Sequence, residues 1–254
     1  VLGLTAALII SMINYRSLVK LWKLFMPLAI LLVVFTFFWG VEKGVANKAW
    51  LYIPIGGRYV SIQPAEFLKI SFIATFSLHL NHVREEINKP MTLLLLVLHG
   101  GAHIGLIAAQ GDDGTALVFV GIFAIMMFMS GVDWKYILLA LLVVLALLPV
   151  AWKFVLSPYQ KDRFRVLWTP DIDSDLSFQQ DRGLLALGFG GVQGVGLFAD
   201  KHVKVPVADN DFIFTFIGET TGLIGTLAVL ILLLCLCFKI LYNSSIAIDM
   251  TGRM

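Results

Sequence analysis

The residues best suited to chemistry are few, and they sit where polar sequence gives way to apolar sequence. Asp211 closes the polar stretch Val205-Pro206-Val207-Ala208-Asp209-Asn210-Asp211 and is followed at once by the apolar run Phe212-Ile213-Phe214-Thr215-Phe216-Ile217-Gly218-Glu219. An ionised carboxylate at such a boundary is costly unless it has a partner or a task. Two readings stand: a helix N-cap that accepts the first free amides, or a general base that takes a proton from a hydroxyl. Glu66 and Lys69, in Ser61-Ile62-Gln63-Pro64-Ala65-Glu66-Phe67-Leu68-Lys69, lie three apart on one face of a helix that Pro64 opens. They neutralise each other locally, or they face a wet cavity as functional charges.

Other constellations are weaker. His99 and His103 have the i, i+4 spacing of two ligands to one metal, but the third ligand and the acid of a zinc protease motif are missing. Helix packing through Gly100 and Gly101 is the alternative. Gln110-Gly111-Asp112-Asp113-Gly114-Thr115 carries two acids ahead of a helix start, as turn and cap chemistry require. Tyr159-Gln160-Lys161-Asp162-Arg163 offers cations to an anionic group such as a diphosphate, with solvated loop charge as the plainer reading. Asp171 to Asp175 lacks the later Gly and Glu of a calcium loop, and the glycine run 187–196 lacks the Lys of a nucleotide loop.

The elements that must position these residues are membrane helices. Of 254 residues, 59% are hydrophobic and 14% charged, and the mean hydropathy is +0.87. A soluble domain has a charged fraction nearer a quarter. Apolar runs predict seven spans, at 1–13, 24–41, 64–80, 92–110, 115–132, 136–152 and 212–238, in a single membrane domain. Seventeen residues at about 1.5 Å each reach roughly 26 Å, close to a bilayer core of about 30 Å. The fold class is therefore an all-α polytopic helix bundle with one large loop, 153–211. The chain starts at Val and its first run is short, so a fragment with further spans is expected. Cys235 and Cys237 stand two apart in an apolar helix, facing different sides, and read as packing residues.

The net charge of +2 points to no nucleic acid. Arg16, Lys20, Lys23, Arg84, Lys89, Lys135, Lys239 and Arg253 fall on one side of the alternating spans, against Lys43, Lys48 and Arg58 in the short connections of the other. The richer side is cytoplasmic by the positive-inside rule, which places 42–63 and 153–211 outside. Residues 42–63, with Gly56-Gly57 among aromatics, read as a compact interfacial loop.

With these pieces in view the chain resembles the SEDS family of bacterial rod-shape, division and sporulation proteins over nearly its whole length. The resemblance rests on Asn47-Lys48-Ala49-Trp50, the segments 61–69, 110–115 and 159–163, the glycine run 188–196, and Asp211-Phe212-Ile213-Phe214 leading to Gly218-Glu219. There are departures. Gly111 stands where the family usually has Pro, Asn210 where it has Thr, Val207 where it often has Glu, and Arg182 where Gln is common. Family members have ten membrane helices, which implies that this chain spans roughly the second to the eighth.

The resemblance implies a multi-pass protein of the bacterial cytoplasmic membrane. It implies a peptidoglycan glycosyltransferase that polymerises lipid II and works with a class B penicillin-binding protein. It also implies an essential acid at Asp211, a functional Glu66–Lys69 pair, and support by a divalent cation, Mg or Mn, with no protein metal site assigned. The chemistry is sound on its own terms: a base activates a sugar hydroxyl while cations stabilise the departing diphosphate. Asp211 is the expected base, and Glu66 holds Lys69, which stabilises the leaving group with Lys161, Arg163 or a divalent cation. Lys161, Arg163, Gln63 and Lys48 are the candidate substrate-binding residues. The competing readings are a flippase or transporter of the same lipid, expected to show repeats and interrupted helices, and a non-catalytic scaffold for the transpeptidase.

Overall fold

The computed structural model describes residues 2–41, 48–55, 57–166, 175–206, 208, 211–247 and 249–254. The elements in order are α1 (Leu2–Ser11), α2 (Tyr15–Lys20), α3 (Trp22–Trp39), β1 (Leu51–Ile55), β2 (Arg58–Ile62), α4 (Pro64–His82), α5 (Pro90–Ala109), α6 (Asp113–Met129), α7 (Trp134–Val150), α8 (Pro158–Val166), α9 (Asp175–Gly190), α10 (Ile213–Ile246) and α11 (Met250–Arg253). Helices at Trp22–Trp39, Pro90–Ala109, Trp134–Phe154 and Ile213–Ile246 are long and apolar enough to cross a bilayer, and α6 is a shorter apolar helix. The chain forms two compact units, Val1–Leu139 with Ser244–Met254, and Ala140–Asn243.

The first unit is built around α4, which packs against α3, α5, α6 and α11. Leu68, Phe72, Phe76 and Leu80 recur every four residues on one stripe and are fully buried. Phe72 stacks on Phe76 with ring centroids 5.2 Å apart and meets Phe119 of α6 at 5.6 Å. The face of α4 that the other helices cover can carry Ser71, Thr75 and Ser77, while Phe67 and Ile70 stand exposed on the other. Thr75 returns its hydroxyl to the Ser71 carbonyl at 2.9 Å, and Ser77 bonds the Ala74 carbonyl at 2.8 Å.

Residues 51–62, expected as loop, form a β-hairpin. Its register runs from Leu51↔Ile62 to Ile55↔Arg58, with Tyr52 edge-on to Tyr59 at 6.4 Å. The hairpin delivers the chain into α4. At the opposite end of this unit Asn88 donates to Asp133 at 2.9 Å, and Arg16 pairs with Asp249 at 2.9 Å. A depression of about 500 Å³ at that end, lined by Arg84, Asn88 and Lys89, is remote from Glu66 and Gln63.

In the second unit the segment expected as one long loop contains α8 and α9. Ser157 and Gln160 cap α8 reciprocally: the Ser157 amide donates to Gln160 Oε1 at 2.7 Å, and the Gln160 amide donates to Ser157 Oγ at 3.3 Å. Next, α9 runs alongside the start of α10 in the same direction. Gly183 meets Phe212 and Thr215, Leu187 meets Gly218, and Gly190 lies against the Gly218 carbonyl with no room for a Cβ.

The helix α10 is two helices joined at Gly222, whose φ of 67° and ψ of −163° break the ladder. Two carbonyls and two amides flanking the break are taken by 191–196. Val195 N–H donates to the Glu219 carbonyl (2.9 Å) and Gly196 N–H to the Thr220 carbonyl (2.9 Å). In return Leu223 N–H donates to the Gly191 carbonyl (2.9 Å) and Ile224 N–H to the Val192 carbonyl (3.3 Å). Irregular backbone near a bilayer is tolerated when protein satisfies it in this way. Residues 223–246 alone extend about 36 Å, enough to cross, so the half-helix 213–221 is free to act as a post for the preceding segment.

Candidate functional site

At one end of the first unit, β2 passes through Gln63 into α4, with Pro64 at the first helical position. The Gln63 carbonyl accepts the Glu66 amide at 3.1 Å, while its side chain reaches across to the start of α6. There Gln63 Nε2 donates to Asp112 Oδ2 at 2.8 Å. Asp112 is the N-cap of α6: its Oδ1 accepts the Thr115 amide at 3.0 Å, and its Oδ2 accepts the Thr115 hydroxyl at 2.9 Å. The capping reading of 110–115 thus holds for Asp112. Its neighbour Gln110 is buried, donates to Thr36 Oγ1 and to the Val33 carbonyl, and ties the end of α5 to α3.

One turn into α4, Lys69 Nζ lies 2.7 Å from Glu66 Oε1, with the Lys side chain 22% exposed and the Glu side chain 56% exposed. The cation is thus held close to the helix while the carboxylate stands outward. Lys48 is exposed on the link between α3 and β1. Glu66, Lys69, Gln63 and Lys48 therefore belong to the first unit, and the structure joins Glu66 to Lys69 and Gln63 to Asp112. Asp211, Lys161 and Arg163 belong to the second.

The second unit shows Asp211 exposed, two residues before the first residue of α10. The first turn is served instead by the Phe212 carbonyl, which accepts the amides of Thr215 (3.0 Å) and Phe216 (3.2 Å) and the Thr215 hydroxyl (2.7 Å). Among the described residues nothing bonds the Asp211 carboxylate, so the cap role that competes with catalysis has no hydrogen bond behind it. Lys161 is half-buried on α8; Arg163 is on the same helix, its side chain outside the described residues. Asp209, Asn210 and most of the acidic run 171–175 also lie outside them.

Glu219 received no role from its sequence position, and it is the most buried carboxylate described, at 1% exposure. Its Oε1 accepts the Val203 amide at 2.6 Å, and its Oε2 lies 3.5 Å from His202 Nδ1. A buried carboxylate needs such partners, because leaving water costs it several kcal/mol. The signal was available: an acid two turns into an apolar helix.

His99 is in contact with both His79 and His103. His99 Nδ1 faces His79 Nδ1 at 3.0 Å, and His103 Nδ1 faces the His99 carbonyl at 2.7 Å. Gly100 between them closes on the Phe123 ring, as helix packing requires. Among the described residues no three His, Cys, Asp or Glu side chains are grouped to hold a metal ion.

A helical bundle with apolar spans, a polar central helix and a broken helix braced by its own preceding segment defines a polytopic membrane protein. The FtsW/RodA/SpoVE family, described as cell cycle proteins, matches residues 1–253, and the chain belongs to that family. It is a multi-pass protein of the bacterial inner membrane.

Among its relatives, a probable peptidoglycan glycosyltransferase FtsW of Thiomicrospira cyclica is 31% identical over 90% of this chain and 58% of its own length. The peptidoglycan glycosyltransferase MrdB of Escherichia coli K12 is 30% identical over 89% of this chain and 60% of its own. The chain thus spans about three fifths of these relatives. Two solved structures share the fold. One, from work on the structural coordination of polymerization and crosslinking by a peptidoglycan synthase complex, gives a TM-score of 0.76 at 22% identity, over 99% of this chain and 69% of that one. The rod shape determining protein RodA of Thermus thermophilus gives 0.62 at 20% identity, over 98% and 64%.

Proposed function

We propose that the complete protein polymerises lipid II into glycan strands on the outer face of the inner membrane, with Asp211 as the general base. The observation that carries this is the exposed Asp211 carboxylate, unbonded among the described residues at the head of α10, in a chain whose relatives are named peptidoglycan glycosyltransferases. Asp211 takes the proton of the attacking sugar hydroxyl, whose oxygen forms a new bond to the anomeric carbon of the second sugar. The bond from that carbon to the diphosphate breaks, and undecaprenyl diphosphate leaves with the electron pair. Positive charge placed beside the departing diphosphate stabilises its developing negative charge and lowers the barrier. Lys69, oriented by Glu66, is assigned that role, with Lys161 and Arg163 as further diphosphate contacts and Lys48 and Gln63 as sugar contacts. Gln63 does this with whatever its bond to Asp112 leaves free.

A magnesium or manganese ion, if it takes part, is assigned to the diphosphate of the substrate, where it would add positive charge to that of Lys69. A crosslinking partner, a class B penicillin-binding protein, is supported by the structural neighbour from a synthase complex.

The broken helix α10 has the look of a transporter's interrupted span. The Glu219 and Thr220 carbonyls and the Leu223 and Ile224 amides at the break are occupied by 191–196, however, so these groups are not free to coordinate cargo. The test is to reconstitute the purified complete protein in vesicles with lipid II and no other polymerase. Glycan strands are expected. Translocated lipid without strands would establish the flippase reading, and neither product would establish the scaffold.

A further inference from the structure

We infer that Glu219 is a positioning residue, a buried pin that fixes the segment 195–206 to the first half of α10 and thereby sets where Asp211 stands. This inference rests on the reading of Asp211 as the base. One residue fastens the segment twice. The Glu219 backbone carbonyl holds the Val195 amide at 2.9 Å, and its side chain holds the Val203 amide at 2.6 Å, with His202 Nδ1 3.5 Å from the other oxygen. Glu219 is 1% exposed, so its carboxylate has little access to water and depends on these partners. His202 also lies over Phe216, at 5.9 Å between ring centroids, one turn above Glu219.

The chain between the two fastened points is short, and Asp211 follows Val203 by eight residues. The half-helix 213–221 is thus clamped from both ends: Phe212 and Thr215 meet α9 at Gly183, and Glu219 meets the returning segment at Val195 and Val203. Lys201 and Lys204, both exposed, flank the pinned residues and report on it as tryptic sites.

The test compares Glu219→Ala, Glu219→Gln and Asp211→Asn in the purified complete protein. It reads tryptic cleavage at Lys201 and Lys204 and the polymerisation kcat and KM per folded molecule. Glu219→Ala is expected to speed cleavage about five-fold or more, because proteolysis follows opening of the segment. It should lower kcat by about 10²-fold with KM within about two-fold, the cost of a reacting group displaced by an ångström. Glu219→Gln keeps an oxygen for the Val203 amide and should restore protection and most of kcat. Asp211→Asn should be inactive yet cleaved at the parent rate.

If Glu219→Ala fails to fold, Val203→Pro removes the donated N–H with Glu219 in place and carries the same two expectations. Parent-rate cleavage in the Ala or Pro variant overturns the pin, and so does a parent kcat in a variant that is cleaved faster. An active Asp211→Asn would instead defeat the reading of Asp211 as base, and cleavage would still judge the pin.

Discussion

Two helices of this protein each begin with a charged motif, and they manage it in opposite ways. In α4 the helix is continuous, and Glu66 is answered by Lys69 three residues on, at 2.7 Å, with no contribution from distant chain among the described residues. In α10 the acid Glu219 is answered by backbone sixteen residues upstream, and the helix breaks just beyond it at Gly222. Local neutralisation leaves the α4 pair partly exposed and able to meet a ligand. Long-range satisfaction consumes Glu219 entirely in structure and leaves Asp211, at the head of the same helix, unbonded among the described residues. An acid's availability for chemistry thus follows from where its partner lies in the chain, more than from its depth in the helix.

The contrast can be broken or sharpened by substitution. Within the α4 pair the largest effect is expected for Lys69→Met, which should lower polymerisation by about 10²-fold, the scale of losing one group that stabilises developing charge. The double exchange Glu66→Lys with Lys69→Glu should restore folding, judged by thermal unfolding in detergent, but not activity. Recovery of both would reduce the pair to mutual neutralisation. Gly222→Ala comes next. A Cβ there would collide with the Gly194 amide and the Val192 carbonyl at a φ of 67°, so a loss on the order of 2–4 kcal/mol is expected from denaturant unfolding. Gly101→Ala on α5, where a Cβ meets nothing within 4 Å, should be neutral or stabilising by up to about 1 kcal/mol. Equal losses at both positions would mean that the break at Gly222 is not special. The smallest effect is expected for Asp112→Ala, at about 1 kcal/mol for a lost helix cap, with Asp112→Asn retaining most of it in the same unfolding measurement.

Much of this was legible in the sequence, because apolar runs and caps are local signals. The runs that predicted spans at 24–41, 92–110 and 136–152 overlap α3, α5 and α7, and Asp112 caps α6 as its turn suggested. The hairpin at 51–62 was legible too but was read as loop: Leu51 to Ile55 and Arg58 to Ile62 flank Gly56-Gly57, a two-residue hairpin signal. Helices α8 and α9 were hidden by their charges, although Ser157-Pro158-Tyr159-Gln160 is a capping box followed by helix. The break at Gly222 was not legible, since nothing in Thr220-Thr221-Gly222-Leu223 announces that 191–196 will supply the missing hydrogen bonds. Local sequence encodes a helix; what replaces its backbone bonds is a fact of tertiary structure. Glu219 was legible as an acid two turns into an apolar helix, but its partners, the Val203 amide and His202, were not, because they come from chain sixteen and seventeen residues upstream.

The central claim is that Asp211 removes the hydroxyl proton, and the rate of strand formation from purified lipid II by the complete protein carrying Asp211→Asn tests it most directly. Asparagine keeps the size and polarity of the side chain but cannot serve as the base. The account predicts a fall of about 10²-fold to 10⁴-fold with thermal unfolding unchanged, and strand formation at the parent rate would contradict it.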